Sequence, residues 1–226
     1  MFYVYNEQMT YKKKLFLIIG GIFFTAAVVI GIYTNTRPRP KEDIKENKKP
    51  IIVSDVISYL KDGDIILRQG DGPLSPMFRD LSLTDKRFSH LGVVRIRDEN
   101  VSVINSVGYI RNRKRGVEEV SLENYLHVAY EIGVFRAKYA EGPTISDKAI
   151  EYVGRPFDWD FNLNDESKIY CTELLYATLK YVAPEHNVST MYVDAVGKEI
   201  IPLDSISNSE DFDEILYITN EITGNR

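Results

Sequence analysis

The chain has 226 residues, of which 44% are apolar and 27% are charged, as in an ordinary globular protein. This length is enough for one domain with a sizeable core or for two small domains. The net charge of −5 gives no indication of a nucleic-acid partner, which would favour a basic surface. The single cysteine excludes an internal disulfide and leaves a thiol that is able to react.

The first fifty residues differ in character from the rest of the chain. Residues 15–33 carry no charge and follow three lysines directly, and a spanning helix needs about 20 apolar residues. A secretory signal peptide has a shorter apolar region and a small-residue cleavage site, so we interpret residues 15–33 as a retained transmembrane signal-anchor. Residues 1–14 then form an N-terminal segment. Residues 34–50, rich in Pro, Lys and Glu, form a solvated tether, and residues 51–226 form the globular domain.

The charges flanking the predicted anchor favour two different orientations. Three lysines precede it and six lysines or arginines follow it by Lys49, so a raw count would place the large domain in the cytoplasm. Long domains translocate largely regardless of charge, however, and the first helix often follows its own N-terminal cluster. We therefore expect a single-pass membrane protein whose globular domain lies outside the cytoplasm.

Beyond the tether, the sequence predicts a mixture of strands and helices. The predicted strands, each bounded by turn residues, lie at 64–68, 88–97, 101–107, 117–120, 128–137 and 214–218. The predicted helices lie at 54–59, 122–126 (capped by Ser121), 144–153 and 171–183. Residues 69–84 read as a loop, and residues 98–100 as the turn of an antiparallel hairpin. Because the helices do not strictly alternate with the strands, the predicted fold class is α+β.

Cys171 opens the last predicted helix. Apolar residues recur after it at Leu175, Leu179 and Val182, which form one stripe of a 3.6-residue period. The cysteine therefore lies at the N-terminal end of the buried face. The positive end of the helix dipole favours the thiolate, which is the nucleophilic form, so the position suits covalent catalysis. The alternative is a small core residue, because free cysteine is among the most buried residue types.

A cysteine nucleophile needs a base, and the base needs a group that orients it. His127 ends a short helix and His186 lies in a polar segment, and we interpret both as structural or surface residues. His90 lies near the start of the strand at 88–97. The hairpin brings Asn105 within a diagonal step of it, so the amide oxygen could accept the imidazole N–H. Either residue could instead be an ordinary polar residue of the core or of a strand end.

Two other kinds of site use the same residue types with weaker support. Zinc sites need three or four ligands, often closely spaced, and one cysteine with scattered histidines gives no such spacing. A serine–histidine site built on Ser89 or Ser106 lacks the G-x-S-x-G motif. We therefore expect neither a metal nor a cofactor.

Five segments, taken in chain order, resemble one known family. They are Gly63-Asp64-Ile65-Ile66, Phe88 to Val94, Val103-Ile104-Asn105, Gly154 to Asp158 with Phe161, and Tyr170 to Leu175. This set is similar to the YiiX-like permuted papain-fold hydrolases of the NlpC/P60 superfamily, over about residues 60–219. The resemblance implies a circularly permuted papain-like domain behind the transmembrane helix, with the histidine strand before the cysteine helix.

The same resemblance implies roles for individual residues. Cys171 would be the nucleophile, His90 the general base and Asn105 the third polar residue. Relatives often carry glutamate at the third position, whereas ordinary papain-like triads use asparagine. Glu173 also matches the family, but two residues past the cysteine on a helix it points to nearly the opposite side, and we interpret it as a structural carboxylate.

The resulting hypothesis is a membrane-anchored cysteine hydrolase that cleaves an amide or ester bond through an acyl-enzyme on Cys171. The resemblance implies cell-wall peptides or lipids as substrates. An aromatic cluster before the cysteine is typical of core, but it would also suit an apolar or acyl-bearing substrate; it comprises Phe157, Trp159, Phe161 and Tyr170. Two alternatives remain open: a non-catalytic module that binds lipid or wall fragments, and an acyltransferase on the same scaffold.

Overall fold

The computed structural model of the protein describes residues 51–70, 72, 75–110, 113–194 and 197–220. The predicted anchor at 15–33, the segment at 1–14 and the tether at 34–50 lie outside the described residues. Among the helices that the structure does describe, none is long and apolar enough to cross a membrane.

A six-stranded antiparallel sheet forms the centre of the domain. Its strands, in chain order, are β1 (Ile65–Gly70), β2 (His90–Arg97), β3 (Asn100–Ser106), β6 (Val117–Ser121), β7 (Ala129–Ala137) and β10 (Phe212–Thr219). Their order across the sheet is β10-β7-β1-β2-β3-β6, and every neighbouring pair is antiparallel. Two small hairpins lie outside it, formed by β4 (Tyr109–Ile110) with β5 (Arg113–Lys114) and by β8 (Met191–Val193) with β9 (Lys198–Ile200).

Helices cover both faces of this sheet. They are α1 (Val53–Val56), α2 (Ser75–Asp80), α3 (Leu122–Leu126), α4 (Gly142–Ile150), α5 (Cys171–Val182) and α6 (Asp204–Ser207). Ser121 caps α3 as predicted, because its Oγ accepts the N–H of Asn124 at 3.2 Å. The mixture of an antiparallel sheet with helices on its two faces confirms the predicted α+β class.

The alternation of side chains along β2 divides the core into two clusters. Leu91 and Val93 point to the face covered by α5, where they pack in one cluster with Leu174. Val94 points to the opposite face and packs in a second cluster with Tyr125 of α3. Because both faces are buried, β2 reads as a nearly continuous apolar run, and His90 stands at its first position.

A two-residue turn joins β2 to β3 and sets their register. Asp98 and Glu99 both have positive φ, 48° and 65°, as a type I′ turn requires. The turn pairs Arg97 with Asn100, and counting along the ladder pairs Gly92 with Asn105. The hairpin predicted from the sequence is therefore confirmed.

The predicted loop at residues 69–84 is wrong in part. Its first two residues complete β1, and the six residues of α2 lie inside it. None of the residues of α2 is buried, so this helix leaves no apolar period in the sequence.

Candidate functional site

Cys171 is the first residue of α5, and its two neighbours in the chain, Tyr170 and Thr172, are both hydrogen-bonded to the backbone of Ile201. The N–H of Ile201 donates to the hydroxyl of Tyr170 at 2.9 Å. The hydroxyl of Thr172 donates to the carbonyl of Ile201 at 2.7 Å. We call these two bonds the Ile201 clamp. It fixes the backbone at the start of α5, and therefore the position of the cysteine.

The thiol of Cys171 is buried, with 2% of the residue exposed. Burial raises its pKa to about 11. The N–H groups of Thr172, Leu91 and Cys171 itself, together with the charge of Arg68, act in the opposite direction and favour the thiolate. The first-turn N–H groups thus favour the thiolate as predicted, but desolvation outweighs them, so the net pKa is raised.

The N–H of Leu91 locates the thiol relative to the sheet. Successive N–H groups of a strand point alternately to its two neighbours. The N–H of Val94 points to β1, since it donates to Asp64 just before that strand at 2.8 Å, so the N–H of Leu91 points to the β3 side. Because this N–H lowers the pKa of Cys171, the thiol lies close to the start of β2, where His90 is the preceding residue.

His90 and Asn105 form the hydrogen bond that the hairpin predicted. The Nε2 of His90 lies 3.0 Å from the Oδ1 of Asn105. The imidazole lies on the α3 face, with its ring centre 5.9 Å from that of Tyr125. The helix that carries Cys171, α5, packs on the opposite face of the sheet, where Leu174 lies in one cluster with Leu91.

The amide oxygen determines which imidazole nitrogen can act as a base. An oxygen only accepts, so the Nε2 of His90 carries the proton in this arrangement and Nδ1 keeps a lone pair. Burial lowers the pKa of His90 to about 3, helped by the charge of Arg68 and opposed by the bond to Asn105. At neutral pH the site therefore holds a neutral imidazole and a neutral thiol.

Arg68 is a residue of this site that the sequence reading missed. It pairs with His90 across β1 and β2, so the two side chains share one face of the sheet. Its Nη1 donates to the carbonyl of Tyr125 at 2.6 Å, and its guanidinium lies 4.4 Å from the centre of that ring. The sequence contained one indication of this role. Arg68 follows the apolar run Ile65-Ile66-Leu67 directly, and a buried strand does not need a charged side chain for packing.

The other predicted histidines lie elsewhere. His127 is exposed at the end of α3. His186 is half-buried, accepts the N–H of Val188 at 3.1 Å and packs against Tyr176. Among the described residues, no group of three or more His, Cys, Asp or Glu side chains is placed to hold a metal ion.

Glu173 is the structural carboxylate that the sequence predicted. Only 1% of it is exposed, and its Oε2 accepts the N–H of Tyr170 at 3.1 Å. Its Oε1 has no partner among the described residues. Burial raises the pKa of Glu173 to about 8, and the charges of Asp158, Glu166 and Asp165 add to the shift.

The aromatic cluster is divided between core and cavity. Phe157 and Tyr170 are buried, whereas Trp159 is 37% exposed. Phe161 packs on Tyr170 and, with Phe78, lines a small apolar cavity next to the start of α5. Neither this cavity nor the larger one described below has the cysteine itself in its wall.

The fold and the site together define a class of protein. The histidine and asparagine lie on adjacent strands that precede the helix carrying the cysteine, which is the chain order expected for a permuted papain-like cysteine hydrolase. The chain matches the family of permuted papain-like amidases, YaeF/YiiX, C92 family, over residues 59–205, and it belongs to that family. It is accordingly an enzyme of the papain-like amidase class.

One solved structure shows the same architecture. The chain is similar to the metalloprotein YiiX from Escherichia coli O157:H7, with a TM-score of 0.57 and 14% identity. The alignment covers 70% of this chain and 98% of that one. At this identity the similarity shows the fold alone. Among curated proteins, none matches the chain.

Proposed function

We propose that the protein is a membrane-anchored cysteine amidase in which Cys171 is the nucleophile, His90 the general base and Asn105 the residue that orients the base. The observation that carries this proposal is the 3.0 Å bond between His90 and Asn105, next to the thiol that begins α5. The bond holds the imidazole with Nδ1 unprotonated, as proton transfer from a thiol requires.

The proposed reaction has two halves. In the first, the thiol proton of Cys171 moves to Nδ1 of His90 while the sulfur attacks the substrate carbonyl. The N–H of Cys171 at the helix start stabilises the oxyanion. The carbon–nitrogen bond then breaks, the imidazolium protonates the leaving amine, and an acyl-enzyme remains. In the second, His90 takes a proton from water, the water oxygen attacks the thioester, and the sulfur leaves and recovers its proton.

The burial of the pair shapes the first step. Because the pKa of Cys171 is raised to about 11 and that of His90 is lowered to about 3, a preformed thiolate–imidazolium pair is unfavourable in this site. Proton transfer is then expected to accompany attack on the carbonyl. Since the thiol is only 2% exposed, the substrate reaches it after a neighbouring side chain moves.

The proposed substrate and the proposed location of the enzyme are both inferred from the sequence. We propose an amide or ester of a cell-wall peptide or a lipid, cleaved outside the cytoplasm by a domain tethered to the helix at residues 15–33. An acyltransferase is the second candidate, in which an amine or alcohol replaces water in the second half of the reaction. Product analysis with and without an added amine acceptor distinguishes the two.

The test uses the fact that the chain has one cysteine. The full-length protein in detergent micelles is treated with p-nitrophenyl acetate, and the acetyl adduct is located by mass spectrometry. We expect the adduct on Cys171 and none in Cys171→Ala. His90→Gln should lower the acylation rate by about 100-fold or more, whereas His127→Ala, which removes an exposed imidazole, should leave it unchanged. Equal labelling of the wild type and Cys171→Ala would refute the proposal.

A further inference from the structure

A cleft of about 380 Å³ lies at the end of β1. Its walls come from α2, the segment at residues 84–87 and the start of β7, and the buried Gln69 of β1 also lines it. This volume falls within the range of about 300–1,000 Å³ that is typical of sites for small molecules. Nothing in the proposed reaction uses this cleft.

Gln69 is a buried amide that is only partly satisfied. The residue is 4% exposed, and its Nε2 donates to the carbonyl of Gly70 at 3.4 Å. Its Oε1 has no hydrogen-bond partner within the part of the chain that the structure describes. A buried acceptor without a donor lowers the stability of the fold, so its presence in a cleft wall indicates a ligand donor.

The position of Gln69 connects the cleft to the proposed catalytic residues. The preceding residue, Arg68, pairs with His90 across the sheet. Side chains alternate along a strand, so Gln69 points to the same face as Leu67, which packs in one cluster with Leu174 of α5. The cleft therefore opens on the face that carries the nucleophile helix, one residue from the strand position opposite the histidine.

One cation of the cleft, Arg87, is already paired with two carboxylates of the protein. Arg87 donates to both oxygens of Asp85, at 3.0 and 2.9 Å, and to Glu214 at 2.8 Å. The start of this segment is held as well, because the N–H groups of Leu83 and Thr84 both donate to a carboxylate oxygen of α6, at 2.8 and 2.9 Å. This wall is therefore preorganised.

Two other cations are available to a ligand. Arg79 of α2 has an exposed contact of 3.5 Å with its neighbour Asp80, which is a weak pair. Lys86 is exposed, and no ion pair involves it in the described part of the chain. On the β7 side, Glu131 accepts the hydroxyl of Tyr217 at 3.2 Å. The cleft is therefore lined by these two cations on α2 and the 84–87 segment, and by the carboxylate of Glu131 on the β7 side.

We propose that this cleft is a substrate subsite that takes a carboxylate-bearing amide segment, with its N–H donated to Gln69 and its carboxylate paired with Arg79 and Lys86. The proposal rests on the proposed amidase function, because an amide substrate supplies the N–H donor. It deepens that function by naming the substrate class: amides that carry a carboxylate beyond the bond to be cleaved.

The experiment compares two matched acylating probes on the full-length protein. One is the p-nitrophenyl ester of N-succinylglycine, which offers an amide N–H and a carboxylate, and the other is its uncharged succinamide analogue. We expect faster acylation of Cys171 by the carboxylate probe at low concentration. The double variant Arg79→Glu, Lys86→Glu should reduce this preference by about tenfold or more through the half-saturating concentration. Lys61→Glu reverses an exposed charge outside the cleft and should leave the preference unchanged.

Gln69→Leu separates a binding role from a structural role. We expect it to raise the half-saturating concentration of both probes by about fivefold or more, while the urea midpoint of unfolding stays the same or rises because the unpaired acceptor is gone. A lower midpoint with unchanged saturation would show that Gln69 is structural and would overturn its assignment. An unchanged probe preference in the double variant would overturn the charge assignment.

A binding measurement keeps the cleft testable even if Cys171 proves unreactive. N-acetylglycine and N-acetylglycinamide are titrated into the full-length protein and followed by ligand-observed NMR. Tighter binding of the carboxylate, lost in the Arg79→Glu, Lys86→Glu variant, supports the subsite without any chemistry. Equal binding of the two compounds overturns it, and an unreactive cysteine in the acylation assay counts against the proposed function alone.

Discussion

Glu173→Gln should make the protein more stable at alkaline pH while leaving it unchanged at acidic pH. Glu173 lies in the first turn of α5 and is 1% exposed, and its Oε1 has no partner among the described residues. A glutamine keeps the oxygen that accepts the N–H of Tyr170, and it removes the charge that burial disfavours.

The magnitude follows from the shifted titration. The carboxyl titrates near 4.5 in the unfolded chain, and burial raises the pKa of Glu173 to about 8 in the fold. Between these values the folded state holds a proton that the unfolded state has lost, so stability falls as the pH rises from about 4.5 to about 8. At about 1.4 kcal/mol per pH unit, the full loss is roughly 5 kcal/mol. At pH 9, Glu173→Gln should therefore have a free energy of unfolding several kcal/mol higher than that of the wild type.

The assay is urea unfolding at pH 5, 7 and 9, followed by the fluorescence of Trp159, the single tryptophan. Glu123→Gln is the matched control, because Glu123 also lies in the first turn of a helix but is exposed. It should change stability by no more than about 0.5 kcal/mol at any pH. If the difference between Glu173→Gln and the wild type is the same at pH 5 and pH 9, the reasoning about burial is wrong.

Three further changes test other parts of the fold. Burial lowers the pKa of His90 from 6.5 to about 3, so the free energy of unfolding should fall as the pH drops from about 6.5 to about 3. In urea unfolding at several pH values, His90→Gln should make this fall smaller. Asp64→Ala removes the partner of Arg136, bonded at 2.7 and 2.8 Å, and should cost about 2–4 kcal/mol in the same assay. Gly142→Ala would place a methyl group 1.8 Å from the carbonyl oxygen of Asp62. It should lower the free energy of unfolding by about 2 kcal/mol or more, and with it the thermal midpoint. An unchanged midpoint would show that the two backbone segments can move apart.

The sequence was most informative where local rules determine the geometry. The turn predicted at residues 98–100 is enough to bring Asn105 within a diagonal step of His90. The structure shortens this turn to Asp98 and Glu99, which pairs Gly92 with Asn105 and keeps the diagonal relation. The start of α5 at Cys171 could be predicted for a similar reason, since polar residues precede an apolar stripe of helical period.

Other features depend on contacts between distant segments. The raised pKa of Cys171 results from burial beneath several elements, and no local pattern reports how much water the fold excludes. Arg68 enters the site only because β1 pairs with β2, a contact that the order of strands in the chain does not determine. The helix at Ser75–Asp80 could not be predicted because it buries none of its residues, and so has no apolar period.

The Ile201 clamp has a consequence for the order in which the protein is made. Ile201 emerges from the ribosome 29 residues after Thr172, and β10, which completes one edge of the sheet, emerges later still. A nascent chain that ends before Ile201 contains the cysteine, the histidine and the asparagine but lacks both bonds that hold the start of α5. The nucleophile is therefore fixed in place only after Ile201 has been synthesised, and termination before that point yields a product that lacks both bonds.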